Sequence, residues 1–149
     1  MSQHFPHLPD PEPERDSPAL GLLAAVIVAL IGGVVYGVFG GEFRIEIGWG
    51  AVGLGFLTGY LAGKAGGANP LLQAAAAVFS IGGVYLGELV IAAVINSQDL
   101  NISLTRMFLD HSALIEETWD LAFRDKYTVL FFALAAAGAV AGVRKGGAR

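Results

Sequence analysis

The stretch Gly48–Gly67 reads GWGAVGLGFLTGYLAGKAGG, with eight glycines in twenty residues and Lys64 as its only formal charge. Read as a loop, it separates apolar blocks; read as a helix, it is itself a membrane span. In water, glycine in a helix interior costs about 1 kcal/mol relative to alanine. In lipid no water competes for the backbone N–H and C=O groups, so a helix persists because it satisfies them internally. Gly55, Gly59, Gly63 and Gly67 recur every four residues, which aligns them on one face as a flat groove for close helix contact. The spacing predicts a span over 47–63, with Gly66 and Gly67 serving the turn that follows.

Working outward, the composition supports lipid as the solvent. The chain has 149 residues, of which 54% are hydrophobic and only 15% charged, and its mean hydropathy is +0.61. Soluble domains carry about 25% charged residues. Its apolar residues fall in long blocks rather than alternating stripes. The absence of cysteine excludes disulfides and thiolate metal sites, and leaves the redox compartment unread. A net charge of −4 argues against nucleic acid as a partner, because phosphate binding needs a basic patch.

Three further blocks have the length of a span. Residues 18–41 carry no charge until Glu42, and Ser17-Pro18 supplies a capping oxygen followed by a ring with preset φ. Residues 70–95 open on a second cap-plus-proline pair, Asn69-Pro70, and contain one charge, Glu88. Residues 127–143 run directly into Arg144 and Lys145, with Arg149 beyond. The expected fold is an all-α membrane protein of four transmembrane helices in a Gly/Ala-packed bundle, domain 18–143, with an amphipathic helical segment over 97–126. Gly33, Gly37, Gly83, Gly87, Gly138 and Gly142 supply small-residue steps on the other three spans. Four of the six prolines lie in the acidic segment ahead of the first span, which predicts a disordered tail over 1–17; that acidic flank and the length of the block mark the first span as retained rather than a signal peptide. His4 and His7 in this tail make a poor metal site.

With four spans, Arg15, Lys64, Arg144, Lys145 and Arg149 share one side, against Arg44, Arg106, Arg124 and Lys126 on the other. The cluster abutting the last span weighs most in the positive-inside rule, which places both termini and the basic tail 144–149 in the cytoplasm.

The segment Ile31–Gly37, IGGVVYG, returns fifty residues later as Ile81–Gly87, IGGVYLG. Either a helical hairpin is written twice, with spans 1 and 3 parallel and spans 2 and 4 parallel, or glycine-rich helices match by composition. Tyr36 lies eighteen residues beyond Pro18 and Glu88 eighteen beyond Pro70, so parallel spans with matched starts carry both at one depth, toward the outer leaflet. A carboxylate there needs a partner, water or a proton. A Tyr36–Glu88 hydrogen bond is expected, with Gly55 leaving room beside it and Thr58, Ser80 and Tyr85 extending the polar centre by hydroxyls. Glu88 then serves as a buried structural carboxyl, as a conducting or coupling group, or as a contact to a partner subunit.

In the outer segment, Leu104, Met107, Phe108, Ile115 and Trp119 fall near helical spacing among charges, as amphipathic helices do. Trp49, Trp119 and Tyr127 sit where interfacial aromatics anchor spans. Asp110, His111, Glu116 and Glu117 are the nearest approach to a metal site, but match no ligand spacing. No nucleophile with a base falls inside a span and no hydrolase or P-loop motif occurs, so neither an enzyme nor a bound cofactor is expected.

Residues Glu46–Gly63, EIGWGAVGLGFLTGYLAG, resemble a run in small bacterial four-helix inner-membrane proteins, E-I-G-W-x-x-W/V-G-x-G-F-L-x-G. Some members place a zinc ribbon ahead of the first span, which this cysteine-free chain lacks. The family has no established function, so the resemblance implies architecture and the bacterial inner membrane only. The functional expectation is a non-enzymatic small subunit of a membrane complex or a homo-oligomer, with the bilayer and other membrane subunits as partners. The alternative is a small transporter or channel centred on Glu88.

Overall fold

A computed structural model describes residues 16–44 and 48–148; the acidic tail with His4 and His7, Glu46 and Arg149 lie outside the described residues. Among the described residues the chain is all helical, in the order α1 (Pro18–Phe43), α2 (Gly48–Gly66), α3 (Pro70–Asp99), α4 (Leu104–Asp110), α5 (Ser112–Phe123) and α6 (Lys126–Gly146). Both cap-plus-proline starts are present: Ser17 Oγ accepts from the Leu20 N–H and Asn69 Oδ1 from the Leu71 N–H. α3 continues one turn past the expected 95, because nothing breaks it before Asn101, whose φ is 54°. The segment after α3 forms two short helices, α4 and α5.

Among the described residues three helices are long and apolar enough to cross a membrane: α1, α3 and α6. α2 is helical for 19 residues but does not join them, because its glycines add little apolar surface and Lys64 lies in its last turn. Outward-facing side chains are strongly apolar. On α1, Leu20, Leu23, Leu30 and Ile31 are each more than half exposed. Contiguous apolar surface of this extent marks contact with lipid or protein rather than water.

The long helices pair closely. α1 lies most extensively against α3, and α2 against α6. Every buried residue of α1 is glycine or alanine, from Gly21 through Ala25, Ala29, Gly33 and Gly37 to Gly41, with Gly40 beside them. A Cβ on Gly33 would lie 2.4 Å from the Gly83 carbonyl oxygen, and one on Gly37 2.6 Å from that of Gly87. Residue number rises along both helices together, so this pair is parallel. The α2–α6 pair is parallel too: Cβ atoms on Gly55, Gly59 and Gly63 would meet the carbonyl oxygens of Ala135, Ala139 and Val143 at 2.1, 1.9 and 2.3 Å. From the other side, a Cβ on Gly138 would lie 3.1 Å from Val52 O, and one on Gly142 2.3 Å from Phe56 O.

Two glycines play roles different from those expected. Gly66 is the last residue of α2 and is buried against Gly21 of α1, not part of the turn. Gly67 makes the turn alone, at φ 79°, so it drops out of the four-residue groove. At this end of the molecule the start of α3 meets the end of α6, where Arg144 Nε donates to Gln73 Oε1 at 3.2 Å.

At the opposite end α4 and α5 dock on α3. Met107 and Ile115 are buried against Ala92 and Ala93. Asn96 Nδ2 donates to Thr118 Oγ1 at 3.1 Å, fixing α5 across α3. Arg44, left-handed at φ 49°, caps α1 and pairs with Asp99 at the end of α3.

Candidate functional site

Between these ends, α1, α2, α3, α5 and α6 enclose a cavity of about 460 Å³. Tyr36, Ala51, Val84 and Glu88 lie toward its deep end, above the cluster of Ala51, Leu54, Val84 and Ala135. Arg44, Gly48, Asp125 and Tyr127 lie toward its mouth, beneath α5. This order follows from the packing of the helices. Each step of four residues along α1, α2, α3 or α6 is one turn of depth, about 6 Å.

The Tyr36 hydroxyl donates to Glu88 Oε1 at 2.9 Å, joining α1 to α3 across the cavity's inner end. Both residues are half-buried. The parallel α1–α3 contact brings them together: Gly87, next to Glu88, has no side chain, and a Cβ there would lie 2.4 Å from the Tyr36 ring. Glu88 is eleven residues short of the end of α3, roughly 16 Å along a helix axis.

The rest of the expected polar centre lies elsewhere. Thr58 is fully buried and its hydroxyl donates within α2 to Leu54 O at 2.8 Å; Ser80 donates within α3 to Ala77 O at 2.8 Å. Gly55 faces Ala135 and does not border the cavity, so it is not the space beside Glu88. The reason is register. In the antiparallel α1–α2 contact Gly32 meets Leu54, so the next turn of α1, which carries Tyr36, falls opposite Ala51. Counting from matched starts set α2 a turn too deep. On α2, Gly48 and Ala51 are the small residues that border the site, and a Cβ on Gly48 would lie 2.1 Å from the Phe131 ring.

Tyr85 faces outward and stacks edge-on against Trp119, ring centroids 4.8 Å apart at 71°. Trp119 is thus a wall residue: one side borders the cavity and the other the groove along Val78, Ile81 and Gly82. Tyr127 lines the mouth, whereas Trp49 stands 77% exposed at the start of α2, away from the cavity. Phe131 and Phe132 complete the aromatic lining and carried no mark in the sequence, since they sit inside an ordinary apolar run. Asp125 was unmarked too; its carboxylate accepts from the Tyr127 N–H at 3.1 Å and starts α6 at the cavity rim. Asp110, His111, Glu116 and Glu117 are exposed, and among the described residues no three side chains of metal-ligating type are gathered.

The fold and site define an all-helical protein with three helices fit to cross a membrane and a tyrosine-bonded carboxylate inside a cavity. Comparison of the chain with protein-family models, curated proteins and solved structures finds no match.

Proposed function

We propose that the chain is a four-span protein of the bacterial inner membrane, with α2 as the fourth span and both termini in the cytoplasm. Its helices close on glycine and alanine seams, and it works without catalysis, by admitting a small solute to the Tyr36–Glu88 cavity from the outer face. The single observation that carries this reading is the placement of Glu88. A carboxylate in a membrane span is costly and marks a functional site by default; here it borders a cavity within the size range of small-molecule sites, about 300–1,000 Å³. This is the transporter-like reading of the two that the residues offer. The subunit or homo-oligomer reading draws support from Gly53 and Gly82, beside which a Cβ would meet nothing within 4 Å, as on a face left clear for another helix.

Accessibility tests the proposal. The chain has no cysteine, so single-cysteine variants report one position each. Thr128→Cys, on the cavity wall, is expected to react with a water-soluble maleimide in reconstituted vesicles, because a thiol needs water to ionise. Val78→Cys, on an outward face that is 66% exposed in the isolated chain, is expected to stay unmodified in lipid. A Thr128→Cys variant as unreactive as Val78→Cys would overturn the cavity reading.

A further inference from the structure

We infer that the cavity binds a monovalent organic cation, an ammonium group carried on an apolar body. This deepens the proposal above and rests on the cavity being open to water. The sign of the ligand follows from the lining. Among the described residues three charged side chains border the cavity: Glu88 and Asp125 are acidic, and the base, Arg44, is engaged by Asp99. An anion would therefore meet Glu88 at the inner end with its only countercharge already paired.

The body of the ligand follows from the aromatic rings. Tyr36, Trp119, Tyr127, Phe131 and Phe132 all border the same space, and at the mouth Lys126 Nζ already lies 5.3 Å from the Tyr127 ring centroid. Ring faces attract a cation within about 6 Å of their centroids, and they do so best where water is excluded. A bare metal ion requires several hard oxygen ligands to replace its water, and here Glu88 at the inner end and Asp125 at the mouth, the latter capping α6, are set apart among hydroxyls and rings. A strongly polar neutral solute would leave its hydroxyls facing these rings. An ammonium centre is satisfied by one carboxylate and surrounding aromatic faces, and its hydrocarbon part by Val84, Ile91 and Ile95.

Trp119 provides the readout. The chain holds two tryptophans, so Trp49→Phe leaves Trp119 as the sole reporter without touching the cavity. The full chain in this background, in mild detergent, is titrated with benzyltrimethylammonium, and with benzenesulfonate and benzyl alcohol as anionic and neutral controls that carry the same phenyl ring. The expected result is a saturable change in Trp119 emission with the ammonium alone. Glu88→Gln, which keeps the side chain's shape, should weaken binding roughly tenfold or more. Tyr127→Ala, at the exposed mouth where folding is least at risk, should weaken it about threefold. Binding of benzenesulfonate or benzyl alcohol as tight as the ammonium, or Glu88→Gln and Tyr127→Ala variants that bind it unchanged, would overturn the inference. No ammonium binding together with a reactive Thr128→Cys would overturn the cation assignment and leave the cavity standing. An unreactive Thr128→Cys would remove the cavity reading itself.

Discussion

Gly59→Leu is expected to abolish the folded protein, because the side chain would enter the α2–α6 contact where no atom has room to yield. A Cβ on Gly59 would stand 1.9 Å from Ala139 O, 2.7 Å from its carbonyl carbon and 2.8 Å from its Cα. These are backbone atoms of a neighbouring helix, so relief requires the helices to move apart rather than a rotamer to change. Overpacking of a filled interior costs about 1–3 kcal/mol when side chains can adjust; here the upper end of about 3 kcal/mol is a minimum. Separation would also disturb the flanking contacts at Gly55 and Gly63, which lie on the same seam. The measurement is the monodisperse fraction and thermal midpoint of the purified variant in mild detergent. A Gly59→Leu protein as stable as the parent would mean that α2 and α6 do not meet on this face.

The neighbouring pair Gly82 and Gly83 gives an internally controlled version on the α1–α3 seam. A Cβ on Gly83 would lie 2.6 Å from Ala29 O and 3.1 Å from Ala29 Cα, whereas one on Gly82 meets nothing within 4 Å. Gly83→Leu is therefore expected to destabilise by about 3 kcal/mol, and Gly82→Leu to stay within about 0.5 kcal/mol of the parent. The two substitutions have the same chemistry, helix and depth. Only the face differs, so equal losses would show that residue type rather than the seam sets stability.

Helix starts were legible in the sequence because their chemistry is local. Ser17-Pro18 and Asn69-Pro70 each announce a first turn, and a cap needs only its own neighbours. The level shared by Tyr36 and Glu88 was legible for a related reason: equal distances from equivalent starts bring two residues together whenever two helices run parallel. Depth on α2 was not, since an antiparallel register depends on how the loop closes and where the helices cross, which nothing in Gly48–Gly67 encodes. Thr58 illustrates a second limit. A hydroxyl on a helix can satisfy itself on the carbonyl four residues back, so composition does not tell a polar centre from an internally bonded side chain. The aromatic wall went unread because Phe131 and Phe132 look like any lipid-facing residues until α5 is folded over them. Gly21, Ala25, Ala29 and Gly41 were equally silent, as small residues scattered through an apolar block become a seam only against a partner helix.

The status of α2 is the point on which everything else depends. If its glycine-rich helix crosses the bilayer, the end of α1 and the α2–α3 turn lie on opposite sides, and the cavity opens outward. Single cysteines at Glu42, at the exposed end of α1, and at Ala68, in that turn, settle this in intact cells with a membrane-impermeant maleimide. Glu42→Cys is expected to be labelled from outside, and Ala68→Cys only after the membrane is permeabilised. Labelling of both positions from the same side would contradict the four-span arrangement.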